Sequence, residues 1–162
     1  MATRLVVLDI DGVLTDGTVL LLESGDQVRS VHFHDLDAVG SLRRRGVAVA
    51  IISGEDTPSS RRVAERFSID DATWGAKDKL PALEALVARH GVSLAETAYV
   101  GDGDRDAPAI AAAGIGFAPA DGTPAACAAA DHVLPIDGGR GVVAAAVRHL
   151  DHLDRLPKEP TL

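Results

Sequence analysis

Residues 5–17 read LVVLDIDGVLTDG. Four consecutive aliphatic residues, Leu5 to Leu8, stop at Asp9, and the chain then carries a second carboxylate at Asp11 and a glycine at Gly12. A run that is apolar at every position, rich in branched aliphatic side chains and too short for a helix, reads as a strand buried on both faces. The pattern recurs at Val47 to Ile52, which ends at Ser53, and at Ala98 to Val100, which ends at Gly101-Asp102.

Helical patterns fill the intervals, over about 36–45, 57–67, 78–90, 104–113 and 141–154. The clearest is Asp78 to His90, where Leu80, Leu83, Leu86 and Val87 share one face and Gly91 supplies a stop. Residues 54–78 hold one helix and a short strand. Parallel neighbours need crossover connections, and strands buried on both faces need covers on both. The expected fold is therefore α/β, a Rossmann-like parallel sheet with helices on both faces. One segment departs from this rhythm. Two strand-like runs, Thr18–Leu22 and Val28–Phe33, flank the turn-forming Ser24-Gly25-Asp26, so a β-hairpin is expected over 18–33, projecting from the first crossover.

A chain of 162 residues suits one domain, expected over 1–156, with a loosely ordered Pro-containing tail at 157–162. The formal charge of −8, from 24 acidic and 16 basic residues, argues against general nucleic-acid binding and against attachment to anionic lipid. A negatively charged substrate must then be received by local cations or by a metal. The lone Cys127 has no intramolecular disulfide partner, no apolar run approaches the roughly 20 residues of a membrane helix, and residues 1–12 lack a cleavable leader pattern. A cytoplasmic location is the expectation.

Ligands of open α/β sheets bind beyond the carboxyl ends of the strands, which singles out the residues that follow each apolar run. These are Asp9 and Asp11, Ser53, and Asp102, with Lys77 and Lys79 opening the helix that approaches the same edge. Sparse carboxylate oxygens suit Mg2+, which keeps water ligands and shares a substrate phosphate. Phosphoryl transfer is the economical reading. Each residue taken singly has a plainer one, since Asp, Ser and Gly also shape turns.

Several look-alikes fail on their own terms. Asp102 to Asp106 imitates the start of a calcium loop, but Ala107 stands where glycine is needed and Ala113 where glutamate is needed. Arg89-His90-Gly91 closes an amphipathic helix and does not follow a strand, so it reads as a helix end and not as a histidine-phosphatase signature. Cys127 has no arginine six residues on, and no GxxxxGK[ST] loop is present. His32 and His34 alternate on the expected strand ahead of Asp35 and Asp37, which leaves a transition-metal site open. Gly138-Gly139-Arg140-Gly141 is either a turn into the last helix or, through Arg140, a carboxylate contact.

The stretch DIDGVLTDG at 9–17 resembles the haloacid dehalogenase signature DxDGTLTD, and the likeness continues through Ser53-Gly54, Lys79 and GDGDRD at 101–106. The resemblance implies Asp9 as nucleophile, Asp11 as general acid and base, and Ser53 and Lys79 as ligands of the phosphoryl oxygens. It implies Mg2+ held by the Asp9 side chain, the Asp11 backbone carbonyl and Asp102, with Asp106 supporting the metal shell or pairing with the lysine. Lys77 stays open as a substitute for Lys79, because sequence does not set the phase of the helix.

No cap domain fits into residues 17–52 or 54–78. The uncapped pattern, with TDG at 15–17, AIISG at 50–54, KDKL at 77–80 and GGRG at 138–141, resembles the 3-deoxy-manno-octulosonate 8-phosphate phosphatases and their nine-carbon sugar-acid relatives. That branch implies a homotetramer in which neighbouring subunits cover the site, and a phosphorylated sugar acid as substrate. Two departures bear on the substrate. His34-Asp35-Leu36 stands where the octulosonate enzymes carry Arg-Asp-Gly, and Ser53-Gly54-Glu55 where they carry Ser-Gly-Arg, the latter resembling the nine-carbon branch. Gly54, Glu55, His34, Asp35, Arg66 and Arg140 are the candidate substrate contacts, with Arg66 alternatively pairing with Glu55. Two other readings are a receiver-like signalling domain and a non-catalytic relative, the second prompted by Gly103 where a second aspartate is common.

Overall fold

The computed structural model describes residues 1–159. Six parallel strands form one sheet: β1 (Leu5–Leu8), β4 (Ala48–Ile52), β5 (Ala72–Thr73), β6 (Thr97–Val100), β7 (Ile115–Ala118) and β8 (His132–Val133), in the order β5-β4-β1-β6-β7-β8. A separate antiparallel pair, β2 (Leu20–Leu21) and β3 (Gln27–Val28), makes the hairpin. Five helices connect these strands, α1 (Phe33–Arg44), α2 (Pro58–Arg66), α3 (Lys79–His90), α4 (Ala107–Ala112) and α5 (Pro124–Ala129), and α6 (Val142–His152) follows the last of them.

β1 is fully buried because alternate residues serve opposite layers. Val6 and Leu8 join the core with α1, α2 and α6, whereas Leu5 and Val7 join the one with α3, α4 and α5. The expected Rossmann-like α/β sandwich is the observed one. Short motifs set the helix ends. Thr57 and Ser60 form a reciprocal capping box at α2 with Pro58 in its first turn, and Gly91 closes α3 in the left-handed region. At each of these ends side-chain or glycine chemistry satisfies backbone groups that the helix leaves unpaired.

Corrections concern extents and small elements. The hairpin is shorter than 18–33: its paired residues are only 20–21 and 27–28, and Phe33 already lies in α1. His32 and His34 are therefore not strand neighbours; His32 caps α1, its Nδ1 accepting from the His34 backbone at 3.3 Å. α4 begins at Ala107 because the preceding turn is spent on Asp106, whose carboxylate folds back onto the backbone of Asp102 and Gly103. Strands β7 and β8 and helix α5 carry no strong pattern in sequence: the strands are short and the helix is mainly alanine. Of the expected tail at 157–162, Pro157 to Glu159 has no regular structure and residues 160–162 lie outside the described residues.

Candidate active site

From β1 the chain moves to β4 and β5 on one side, then returns at α3 to place β6 against β1 on the other. The loops leaving β1 and β6 diverge, opening the crevice where ligands of such sheets bind. Asp9 stands at the end of β1 and Asp102 just beyond β6. Oxygen atoms of Asp9, Asp102 and Asp106 lie within 4.8 Å of one another, the one such three-residue group of potential metal ligands among the described residues. The transition-metal possibility left open at His32 and His34 is not among the groups of potential ligands that the described residues bring together.

Close approach depends on a glycine. Gly12 has φ +88°, and a Cβ there would fall 1.9 Å from Asp102 Oδ2. Gly138 packs as tightly on the other side, where a Cβ would meet the Gly12 carbonyl oxygen at 1.7 Å, and Gly139 N donates to Val13 O at 2.9 Å. GGRG is thus a backbone brace for the loop after β1. Arg140 points outward, two-thirds exposed, with Nη2 3.7 Å from Asp16 Oδ2.

Lys79 is the buried cation of the site. Its Nζ sits 2.9 Å from Asp9 Oδ2 and 2.9 Å from Asp106 Oδ1, and it donates to Ile52 O at 3.2 Å. Lys77 points away, to Glu55 at 3.1 Å and to the Gly54 carbonyl. The question that sequence left open is settled by where α3 starts: Lys79 is its first residue and reaches Asp9, whereas Lys77 belongs to the loop before it. Asp106 is saturated: Oδ1 also accepts from Tyr99 Oη at 2.7 Å, and Oδ2 accepts from the backbone of Asp102 at 3.2 Å and Gly103 at 3.0 Å. Asp106 thus pairs with the lysine while also standing in the group of potential metal ligands.

The charge is unbalanced, with three clustered carboxylates facing one ammonium. Burial first, and then the Asp106 carboxylate, push the Asp9 carboxyl well above its ordinary value, with Lys79 opposing. Burial and Asp106 likewise push Asp102 up to about 6. Burial draws Lys79 down, but the carboxylates of Asp9 and Asp106 outweigh it and hold the ammonium above the usual lysine value. Hard oxygen donors with excess negative charge are what a divalent cation requires, so the residues fit Mg2+.

Asp9, Asp11, Gly54, Glu55, Lys77, Lys79, and Asp102 to Asp106 line a cavity of about 480 Å3. Residues 28–114 match the haloacid dehalogenase-like hydrolase family. The 3-deoxy-D-manno-octulosonate 8-phosphate phosphatase of Haemophilus influenzae is 38% identical over 138 residues, 85% of this chain and 77% of that one.

This chain belongs to the haloacid dehalogenase-like hydrolases.

Within that family it lies among phosphatases. The cobalt-bound octulosonate 8-phosphate phosphatase of Haemophilus influenzae superposes with a TM-score of 0.86 at 35% identity, covering 92% of this hydrolase and 88% of that chain. The Moraxella catarrhalis 3-deoxy-D-manno-octulosonate 8-phosphate phosphatase, in complex with a magnesium ion, a phosphate ion and a KDO molecule, gives 0.88 at 29% identity over 92% and 86% of the two chains.

The remaining candidate residues separate. Ser53 is buried at the end of β4, its Oγ accepting from Glu55 N at 3.2 Å. His34 is exposed at the start of α1. Asp35 is fully buried and faces away from solvent: Oδ2 accepts from Gly141 N at 3.2 Å and Oδ1 from Ala144 N at 2.9 Å. It caps α6, which corrects its candidacy as a substrate contact; a carboxylate satisfies the unpaired amides of a helix N-terminus. Arg66 does not pair with Glu55; its guanidinium stacks over Phe33 at 5.8 Å.

Sequence reading missed Arg29. Its Nε donates to Asp11 Oδ1 at 2.7 Å, although the two residues are separated by a whole hairpin strand pair. No motif surrounds it, and only the fold-back of the hairpin brings it to the site. Asp121 and Thr123 were also unmarked: Thr123 N donates to Asp102 O at 2.8 Å, and Asp121 accepts from Gly138 N at 2.9 Å, tying the loop of Asp102 to the glycine brace.

Proposed function

We propose that this hydrolase is a Mg2+-dependent phosphomonoesterase acting on a 2-keto-3-deoxy sugar-acid phosphate, an octulosonate 8-phosphate or a nonulosonate 9-phosphate. The observation that carries the proposal is the Asp9 carboxylate at the sheet switch point, 2.9 Å from Lys79 and grouped with Asp102. Asp9 attacks phosphorus and the bond to the sugar oxygen breaks, leaving an aspartyl-phosphate; Asp11 delivers the proton that the departing alkoxide takes. Water then attacks phosphorus, its proton passes to Asp11, and phosphate leaves with Asp9 restored. Lys79 and Ser53 bind the phosphoryl oxygens. Asp9, the Asp11 backbone carbonyl and Asp102 would hold Mg2+, which supplies positive charge against the anionic phosphoryl group. Asp106 keeps Lys79 and the Asp102 loop in register.

Similarity to octulosonate 8-phosphate phosphatases supports the sugar-acid class; Gly54 and Glu55 line the cavity beside Asp9, Arg66 lines the neighbouring cavity between the hairpin and α2, and His34 and Arg140 are the outer candidates for contact with the substrate. Glu55 in place of arginine favours the nine-carbon acids. A homotetramer covering the site is supported by apolar residues left exposed on and beside the hairpin: Leu20, Leu21, Leu22, Val28 and Phe33, with Leu21 76% and Phe33 72% exposed. A cytoplasmic setting completes the reading; no described helix is long and apolar enough to cross a membrane. The alternatives are a receiver-like domain and a non-catalytic relative, the latter prompted by Gly103.

The test is phosphate release, with Mg2+ and with EDTA, from octulosonate 8-phosphate, nonulosonate 9-phosphates and hexose phosphates, with Asp9→Asn as the control. Preference for a sugar-acid phosphate that vanishes in Asp9→Asn is the expected result. Release that is indifferent to Asp9 sinks the catalytic reading, and equal release from all substrates sinks the substrate class.

A further inference from the structure

The Asp11 carboxylate is gripped by a side chain from the hairpin. Arg29 Nε donates to Oδ1 at 2.7 Å, while Nη2 reaches Oδ2 only at 3.4 Å. The first contact is a short, well-formed charge-assisted bond and the second is near the limit of hydrogen bonding. One oxygen is thus held and the other is nearly free.

Arg29 is itself fixed. Its side chain is 4% exposed, against 28% for Asp11. Nη1 donates to Gln27 Oε1 at 2.9 Å, to Thr57 Oγ1 at 3.5 Å and to Ser59 Oγ. These partners come from the hairpin strand β3 and from the first residues of α2. The guanidinium therefore joins three separate pieces of chain: the hairpin, the α2 cap and the loop after β1. It also stands at a boundary. Asp11 lines the catalytic cavity, whereas Arg29 lines a second cavity of about 520 Å3 between the hairpin and α2, walled by Val28, Val31, Pro58 and Val63.

We infer that Arg29 is a positioning residue for the reaction: it holds Asp11 through Oδ1 and leaves Oδ2 as the oxygen that exchanges a proton with the leaving group and with water. The inference rests on the reading of Asp11 as acid and base. A carboxylate on a partly exposed loop samples several rotamers, and a proton transferred in the transition state needs its oxygen within hydrogen-bond reach of the leaving atom. A guanidinium anchored at three other points removes that freedom. Lysine has no fork with which to do the same. Because Gln27 of β3 is one of the anchors of Arg29, the hairpin takes part in fixing the orientation of the acid.

Leaving-group dependence separates this role from a structural one. An alkyl phosphate needs the proton from Asp11 for its P–O bond to break, whereas p-nitrophenyl phosphate leaves as a stable phenolate and needs little help. kcat/KM reports only the steps up to formation of the phosphoenzyme. In saturating Mg2+, Arg29→Met is expected to lower kcat/KM for octulosonate 8-phosphate by about 10- to 100-fold, a part of the roughly 10²- to 10⁴-fold typical of general acid catalysis. For p-nitrophenyl phosphate the change is expected to stay within about threefold by the same reasoning. Arg29→Lys should fall between, and Ser59→Ala, which removes one anchor and does not touch Asp11, should show a smaller fall with the same selectivity.

Asp11→Asn is the reference. If it discriminates between the two substrates and the Arg29 and Ser59 variants do not, or if they lower both equally or raise alkyl turnover, the inference about Arg29 is wrong and the reading of Asp11 stands. If Asp11→Asn itself shows no discrimination, the acid role fails and the inference falls with it. Should Arg29→Met lose its cooperative melt, Arg29→Lys and Ser59→Ala decide the matter alone.

Discussion

Asp102 Oδ2 occupies the space where a side chain at position 12 would begin, 1.9 Å from the Cβ that Gly12 lacks. The acid at the end of β6 reaches the acid at the end of β1 only because the intervening residue is glycine at φ +88°. Gly12→Ala is expected to displace Asp102 and to strain the backbone, lowering phosphatase activity at least about 100-fold and destabilising the fold by roughly 1–3 kcal/mol. Steady-state rates at several Mg2+ concentrations, with urea unfolding on the same samples, check both halves. Near-normal activity at ordinary Mg2+ would show that Asp102 does not need this approach.

Lys79 offsets the mutual repulsion of Asp9 and Asp106. Lys79→Met leaves those buried carboxylates unpaired, and breaking a buried pair on one side costs on the order of 3–5 kcal/mol. In EDTA the variant should unfold at clearly lower urea concentration than the parent, and Mg2+ should restore more stability to the variant than to the parent. Equal Mg2+ effects on the two would mean that the ammonium and the metal do not share the same carboxylates.

The pH dependence of the metal-free protein follows from Asp102, which burial and Asp106 push up to about 6, and from Asp9, moved in the same direction. A carboxyl that ionises later in the native state than in the unfolded chain binds more protons when folded. Stability in EDTA is therefore expected to fall as pH rises from about 4 to about 6, by about 1–2 kcal/mol for Asp102 after allowing for its partial exposure. The raised Lys79 acts elsewhere, its contribution fully present below the ordinary lysine value and lost as pH rises through its own folded value. Mg2+ binding should show the opposite sign, tightening with pH up to about 6, because the ligands must be deprotonated. Urea titrations and Mg2+ calorimetry at half-unit intervals test the pair of slopes; a flat EDTA profile contradicts the burial argument.

Asp35 and the amides of Gly141 and Ala144 form the cap of α6. Asp35→Ala should cost about 1–3 kcal/mol, combining a lost cap with amides left unpaired in the core, and Asp35→Asn should cost less. KM for the sugar-acid phosphate should remain within about twofold, since no substrate contact is lost. A large KM change at unchanged stability would return Asp35 to the list of substrate ligands.

What was legible in the sequence was whatever local chemistry dictates. Leu5 to Leu8, Val47 to Ile52 and Ala98 to Val100 are apolar at each position because both faces of the sheet are covered, so strands, fold class and the polar residues at their ends could be read together. Asp9, Asp11, Ser53 and Asp102 follow from position on those strands. Segments with weak patterning were not legible: β7 and β8 are four and two residues long, and α5 is mainly alanine.

Only the tertiary structure decided which lysine faces Asp9, because α3 starts after Asp78, which leaves Lys77 in the preceding loop and makes Lys79 the first residue of the helix. It likewise turned Asp35 from a rim residue into the cap of a helix more than a hundred positions away, and brought Arg29 to Asp11. The sequence by itself determined the three central strands β4, β1 and β6, the order of their strand-end acids and the class of chemistry, since apolar periodicity and a residue's place after a strand are local properties. Partnerships between distant side chains are set by packing, where a small change of helix phase or hairpin length selects a different neighbour.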